Sequence, residues 1–193
     1  MTIWIGRAGW GAPRMFWLAL AAGVPCGRRA GVTNSAGWEI RKLNSLLRMI
    51  GMTGMNDPHN LQRFVDAQKG VYERAHAELE EGRKRGHWMW FVFPQFRGLG
   101  RSHMAETFGI SSREEAQAYL NHATLGIRLR ECAQLVNQLE GRSLREIFGT
   151  PDDLKFRSSM TLFAQVAEDN QVFVEALKKY CGGEFDRSTL QLL

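Results

Sequence analysis

Six consecutive apolar residues, Trp88-Met89-Trp90-Phe91-Val92-Phe93, followed by Phe96 after a Pro94-Gln95 step, constrain this chain more than any other feature. Two tryptophans and three phenylalanines within nine residues are too apolar to face water along their whole length, so the fold needs a core that covers them. The flanks are of a different kind. Arg83-Lys84-Arg85-Gly86-His87 leads into the block and Gly98-Leu99-Gly100-Arg101-Ser102 leads out of it. Polar groups held at the edge of a rigid apolar wall are how small-molecule pockets are made. The block itself fits a buried strand or a buried helix, and its periodicity does not separate the two.

The composition of the whole 193-residue chain, 44% hydrophobic and 23% charged, is that of a globular protein able to bury about two thirds of its unfolded surface. Cys26, Cys132 and Cys181 show no CxxC spacing, which argues against a zinc site and a disulfide framework and fits a cytoplasmic protein. No stretch approaches the roughly 18 apolar residues of a membrane span, so no membrane partner is expected. His59, His76, His87, His103 and His122 have no HxxxH or HExxH spacing, so no metal is expected. Neither a GxSxG elbow nor an oxidoreductase fingerprint occurs, so no cofactor is expected.

Charge is unevenly placed. Residues 1–54 hold seven of the 25 basic residues and one of the 20 acidic ones, a charge of +6, and the remaining 18 and 19 leave the rest of the chain at −1. A slightly acidic body lacks the electrostatic footprint of a nucleic-acid binder. The first segment also holds nine of the 20 glycines and no sustained period, a composition that does not specify a core. Its apolar stretch Met15 to Val24 resembles the middle of a signal peptide, but no small-residue cleavage site follows. The expected organisation is therefore a disordered leader over 1–54, or sequence upstream of a true start at Met52 or Met55, and a single helical domain over 55–193.

Helix signals dominate that domain. Asp57-Pro58 reads as a cap and first helical position, and apolar residues at Leu61, Phe64, Val65, Tyr72, Ala75 and Leu79 predict one amphipathic helix running to Gly82. Ser111-Ser112 with Glu114-Glu115 predicts a capping box opening a helix to about Leu120. Leu125, Leu129, Cys132, Val136 and Leu139 form one stripe in the next segment, Thr124 to Leu139. Ser143 to Phe148 predicts a short helix closed by Gly149. Thr150-Pro151-Asp152-Asp153 opens a helix through Val166, and Gln171 to Tyr180 predicts the last substantial one. The fold class is mainly α, a compact multi-helix domain with a buried aromatic segment.

From about Asp57 onward the chain resembles a bacterial family, domain of unknown function 1810. The resemblance is carried by Leu61 to Gln68, by Gly86-His87-Trp88-Met89-Trp90-Phe91-Val92-Phe93-Pro94-Gln95, by Gly98 to Ser102, by Leu125 to Leu129, and by Pro151-Asp152-Asp153-Leu154-Lys155-Phe156-Arg157-Ser158-Ser159-Met160. It implies a compact, mainly helical single domain and no established activity. Members also carry the label calpastatin, a disordered inhibitor, which a capped and aromatic-rich chain does not resemble.

Two segments offer chemistry. In the first, His87 is the candidate catalytic or ligand-bonding group, with Trp88 and Gln95 on the aromatic wall. Gly98, Gly100, Arg101 and Ser102 form a turn whose amides and side chains suit an anion. In the second, Lys155, Ser158 and Ser159 share a helix face beside the offset Arg157. Together these ten ligand-binding candidates and His87 suit an anionic or nucleotide-like small molecule. The alternative is a protein–protein interaction module in which the aromatic block is only core. Convergence of the two segments on one concavity favours the first reading, and placement on opposite sides of the fold removes its basis.

Overall fold

A computed structural model describes residues 57–193, so the expectation for residues 1–54 lies outside the described residues. Among the described residues the chain is helical, with ten helices and a single isolated parallel bridge between Phe96 and Ile110.

The first long amphipathic stretch is two helices, α1 (Gln62–Gln68) and α2 (Tyr72–Glu80). The predicted continuous helix breaks at Gly70, whose φ of +71° lies in the left-handed region that glycine adopts without strain. Gln68 explains the break. Its side chain is buried and donates to the Phe91 carbonyl at 2.7 Å while accepting from Arg128 at 3.1 Å, which ends α1 in the core. Asp57 does not cap a helix beginning at Pro58. It spans a turn instead, its two carboxylate oxygens accepting from Leu61 and Gln62 backbone N–H at 2.8 and 2.9 Å.

The aromatic block forms the short helix α3 (Met89–Val92), and α4 (His103–Phe108) follows the glycine turn. Local caps then set the next boundaries. Ser112 accepts from Glu115 N–H to open α5 (Arg113–Asn121), while the Glu115 carboxylate reaches back to Ser111 rather than to Ser112. Next comes α6 (Leu125–Gln138). The capping box of Ser143 and Glu146 opens α7 (Leu144–Phe148). Beyond it lie α8 (Asp152–Val166), α9 (Gln171–Cys181) and α10 (Arg187–Leu192).

Helix α8 is the centre of the fold. It packs against α3, α5, α7, α9 and α10, and nine of its 15 residues are buried, the pattern of a helix enclosed on most sides. Its Phe156 ring stacks on Phe148 of α7 at 4.8 Å and meets Phe93 edge-on at 5.0 Å. Of the aromatic block, Trp88, Met89, Phe91, Val92 and Phe93 are buried. Each such side chain contributes on the order of 1.5 to 3 kcal/mol relative to exposure. The block is thus the wall that fixes α8 against the turn at its far end.

Candidate functional site

Three segments distant in the sequence enclose a cleft of about 430 Å³: the turn after the aromatic block, the N-terminal half of α8, and the start of α10. The turn begins from a fixed point, because the Phe96 bridge ties it to Ile110, whose N–H donates to the Gln95 carbonyl at 2.9 Å. Gly98 has φ +94°, which only glycine takes readily. Gly100 is required for a different reason, since a Cβ there would lie 2.6 Å from the Ala105 Cβ. Ser102 ends the turn as the cap of α4, its hydroxyl accepting from Ala105 N–H at 3.2 Å.

Gln95 lines the cleft and is 9% exposed. Its amide nitrogen reaches the turn, 3.4 Å from where a Gly100 Cβ would sit, and its side chain hydrogen-bonds none of the described residues. Arg101, exposed at the rim, pairs with no carboxylate among the described residues.

Across the cleft stands Lys155. Its ammonium donates to Asp152 Oδ1 at 2.6 Å and lies 4.7 Å from the centre of the Trp90 ring. Asp152 Oδ2 pairs in turn with the nearly buried Lys84 at 2.8 Å. Burial by itself would raise the Asp152 carboxyl, but hydrogen bonds and charge from Lys155 and Lys84 outweigh it and hold the group below the usual carboxylate range. Two lysines against one aspartate leave this cluster one positive charge.

One helical turn further along α8, the Ser158 hydroxyl is 3.1 Å from the Leu154 carbonyl and 3.2 Å from Asp186 Oδ2. Asp186 caps α10 through Thr189 N–H at 2.9 Å, and its own N–H donates to the buried Thr161 hydroxyl.

The fold therefore brings together Gln95, Gly100, Arg101, Ser102, Lys155 and Ser158. The other candidates lie elsewhere. His87 is exposed and outside the cleft. Trp88 is 1% exposed, its indole N–H donating to Glu78 at 2.8 Å, so its ring belongs to the core wall. Gly98 shapes the turn without lining the cleft. Ser159 is fully buried and its hydroxyl has no hydrogen-bond partner among the described residues. Arg157 turns away, donating to Glu184 at 3.2 Å and to the Phe185 carbonyl, and lines a separate cleft with Tyr180 and Cys181. Sequence reasoning missed Asp186 and Ser188. The only local signal was Asp186 three residues before Thr189, a spacing that marks a helix cap.

Comparison with protein families places residues 58–193 in the one described as protein of unknown function, DUF1810. The chain belongs to this family. Every cleft residue lies within the DUF1810 match. The structure is similar to the crystal structure of the conserved hypothetical protein Rv1873 from Mycobacterium tuberculosis, with 64% identity and a TM-score of 0.70. That match covers 71% of this chain and 98% of Rv1873. A comparison of this DUF1810 chain with curated proteins finds no match. No helix among the described residues is long and apolar enough to cross a membrane.

Proposed function

We propose that this chain is a cytoplasmic small-molecule domain that binds an anionic, nucleotide-like ligand in the cleft between the Gly98–Ser102 turn and α8. One observation carries the reading: Gln95, a residue only 9% exposed whose side chain hydrogen-bonds none of the described residues, lies in the same cleft as the cations of Arg101 and Lys155. The Gln95 amide borders the cleft with both a donor and an acceptor to offer a bound molecule. A ligand that hydrogen-bonds Gln95 while its charge meets Arg101 and Lys155 engages all three groups at once. The volume of about 430 Å³ falls in the range of small-molecule sites.

Electrostatics support an anion. The lysine pair with Asp152 contributes one positive charge and Arg101 a second, against the single negative charge of Asp186. A thermal-shift screen of phosphorylated metabolites and nucleotides, followed by titration calorimetry, tests the proposal. Arg101→Ala and Lys155→Ala are each expected to weaken a hit by about 1.5 to 3 kcal/mol, the worth of a charge-assisted hydrogen bond. Unaltered affinity in both variants overturns it.

A further inference from the structure

We infer that the cleft recognises hydroxyl groups as well as charge, and that its ligand is a phosphorylated sugar, free or as part of a nucleotide. This rests on the anion-binding reading above and deepens it. The observation behind it is the placement of Asp186 in the same cleft as Arg101 and Lys155. A carboxylate repels a bare anion, so beside its role as the α10 cap Asp186 favours a ligand that also carries donors.

Asp186 is held rigidly. Oδ2 is surrounded by the Ser158 hydroxyl at 3.2 Å, Thr189 N–H at 2.9 Å and the Thr189 hydroxyl, and the backbone N–H is fixed to Thr161 at 2.9 Å. Oδ1 accepts from none of the described residues. The Thr189 N–H and hydroxyl donate to Oδ2, which leaves Oδ1 as the acceptor that faces a ligand. Neutral hydroxyls match such an acceptor better than an ammonium does. The neighbouring Ser188 hydroxyl and the Gln95 amide add groups that both donate and accept, and the Ser158 oxygen adds an acceptor, as a polyhydroxylated ring requires. A phosphoryl group would sit at the Arg101 and Lys155 side and the sugar hydroxyls at the Asp186 side.

Titration calorimetry of the full chain with inorganic phosphate, phosphoethanolamine, ribose 5-phosphate and adenosine 5′-monophosphate tests this directly. Ribose 5-phosphate or the nucleotide is expected to bind at least about tenfold tighter than phosphate or phosphoethanolamine, the worth of one good hydrogen bond to a charged group. Whichever of the two binds tighter tells a free sugar phosphate from a nucleotide, and both outcomes support the inference. Asp186→Asn, which keeps a helix-capping oxygen, is expected to abolish most of that preference while strengthening phosphate binding by about threefold through lost repulsion. A merely structural Asp186 would weaken all four ligands together, and that result overturns the inference. So does phosphate or phosphoethanolamine binding as tightly as both ribose 5-phosphate and the nucleotide to the unaltered protein, a measurement independent of how the variant folds. Phosphate binding that depends on Arg101 without any sugar preference overturns this inference alone. Absence of binding by all four ligands overturns the cleft reading with it.

Discussion

The Lys155 ammonium lies 4.7 Å from the centre of the Trp90 ring while donating to Asp152 at 2.6 Å. The cation that α8 offers to the cleft is thereby fastened to the aromatic block, and the core positions the charge. Lys155→Ala is expected to cost about 1 kcal/mol, the worth of one part-exposed pair and one cation–π contact, because Lys84 still holds Asp152. Asp152→Ala strands two ammoniums, of which Lys84 has only 8% of its side chain exposed, and is expected to cost about 3 kcal/mol. Urea denaturation of both variants checks the order, and equal losses would contradict it.

The two tryptophans of the block are not equivalent. Trp88 is 1% exposed, donates to Glu78, and packs edge-on to Phe148 at 6.4 Å, whereas Trp90 is half-buried under Lys155. Trp88→Ala is expected to destabilise by about 3 to 5 kcal/mol, and Trp90→Ala by clearly less. Thermal denaturation that ranks Trp90→Ala as the worse of the two would show that the core is centred elsewhere.

Ser102 and His87 separate the cleft from its surroundings. Ser102→Ala removes the α4 cap and is expected to lower stability by about 1 kcal/mol. His87→Ala touches an exposed side chain and is expected to change stability by less than about 0.5 kcal/mol and to leave ligand affinity unaltered. A loss of affinity in His87→Ala would move the site toward the basic cluster.

Acid sensitivity is expected from Glu115. Burial by itself would raise this carboxyl, but hydrogen bonds from Ser111 and Arg63 outweigh it and hold the group below its ordinary value of 4.5. A carboxyl depressed in the folded state stabilises above its unfolded pKa, and that contribution disappears as pH falls through the lower folded value. Stability should therefore decline as pH drops below about 4.5, with a shallower decline in Glu115→Gln, which is less stable at neutral pH. Denaturant midpoints measured between about pH 6 and pH 3 test this, and parallel curves for the two proteins would rule it out.

The sequence by itself determined what depends on neighbours within one helical turn. Ser112, Ser143 and Gly149 mark helix ends because a cap or a left-handed residue acts on backbone groups three or four positions away. The stripe over α6 and the burial of the aromatic block were legible from apolar content alone. Tertiary structure decided the rest. Gly70 could have stayed within a helix for about 1 kcal/mol, and only the core contacts of Gln68 with Phe91 and Arg128 choose the break. The partners of the aromatic block are far apart in sequence: Gln68 of α1 donates to the Phe91 carbonyl, and Phe93 meets Phe148 of α7 and Phe156 of α8, more than fifty positions downstream. Adjacent serines separate for the same reason: Ser158 faces the cleft and Asp186, while Ser159 faces the core. Asp186 itself reads as an ordinary cap in sequence, and packing of α10 on α8 is what carries it to the cleft.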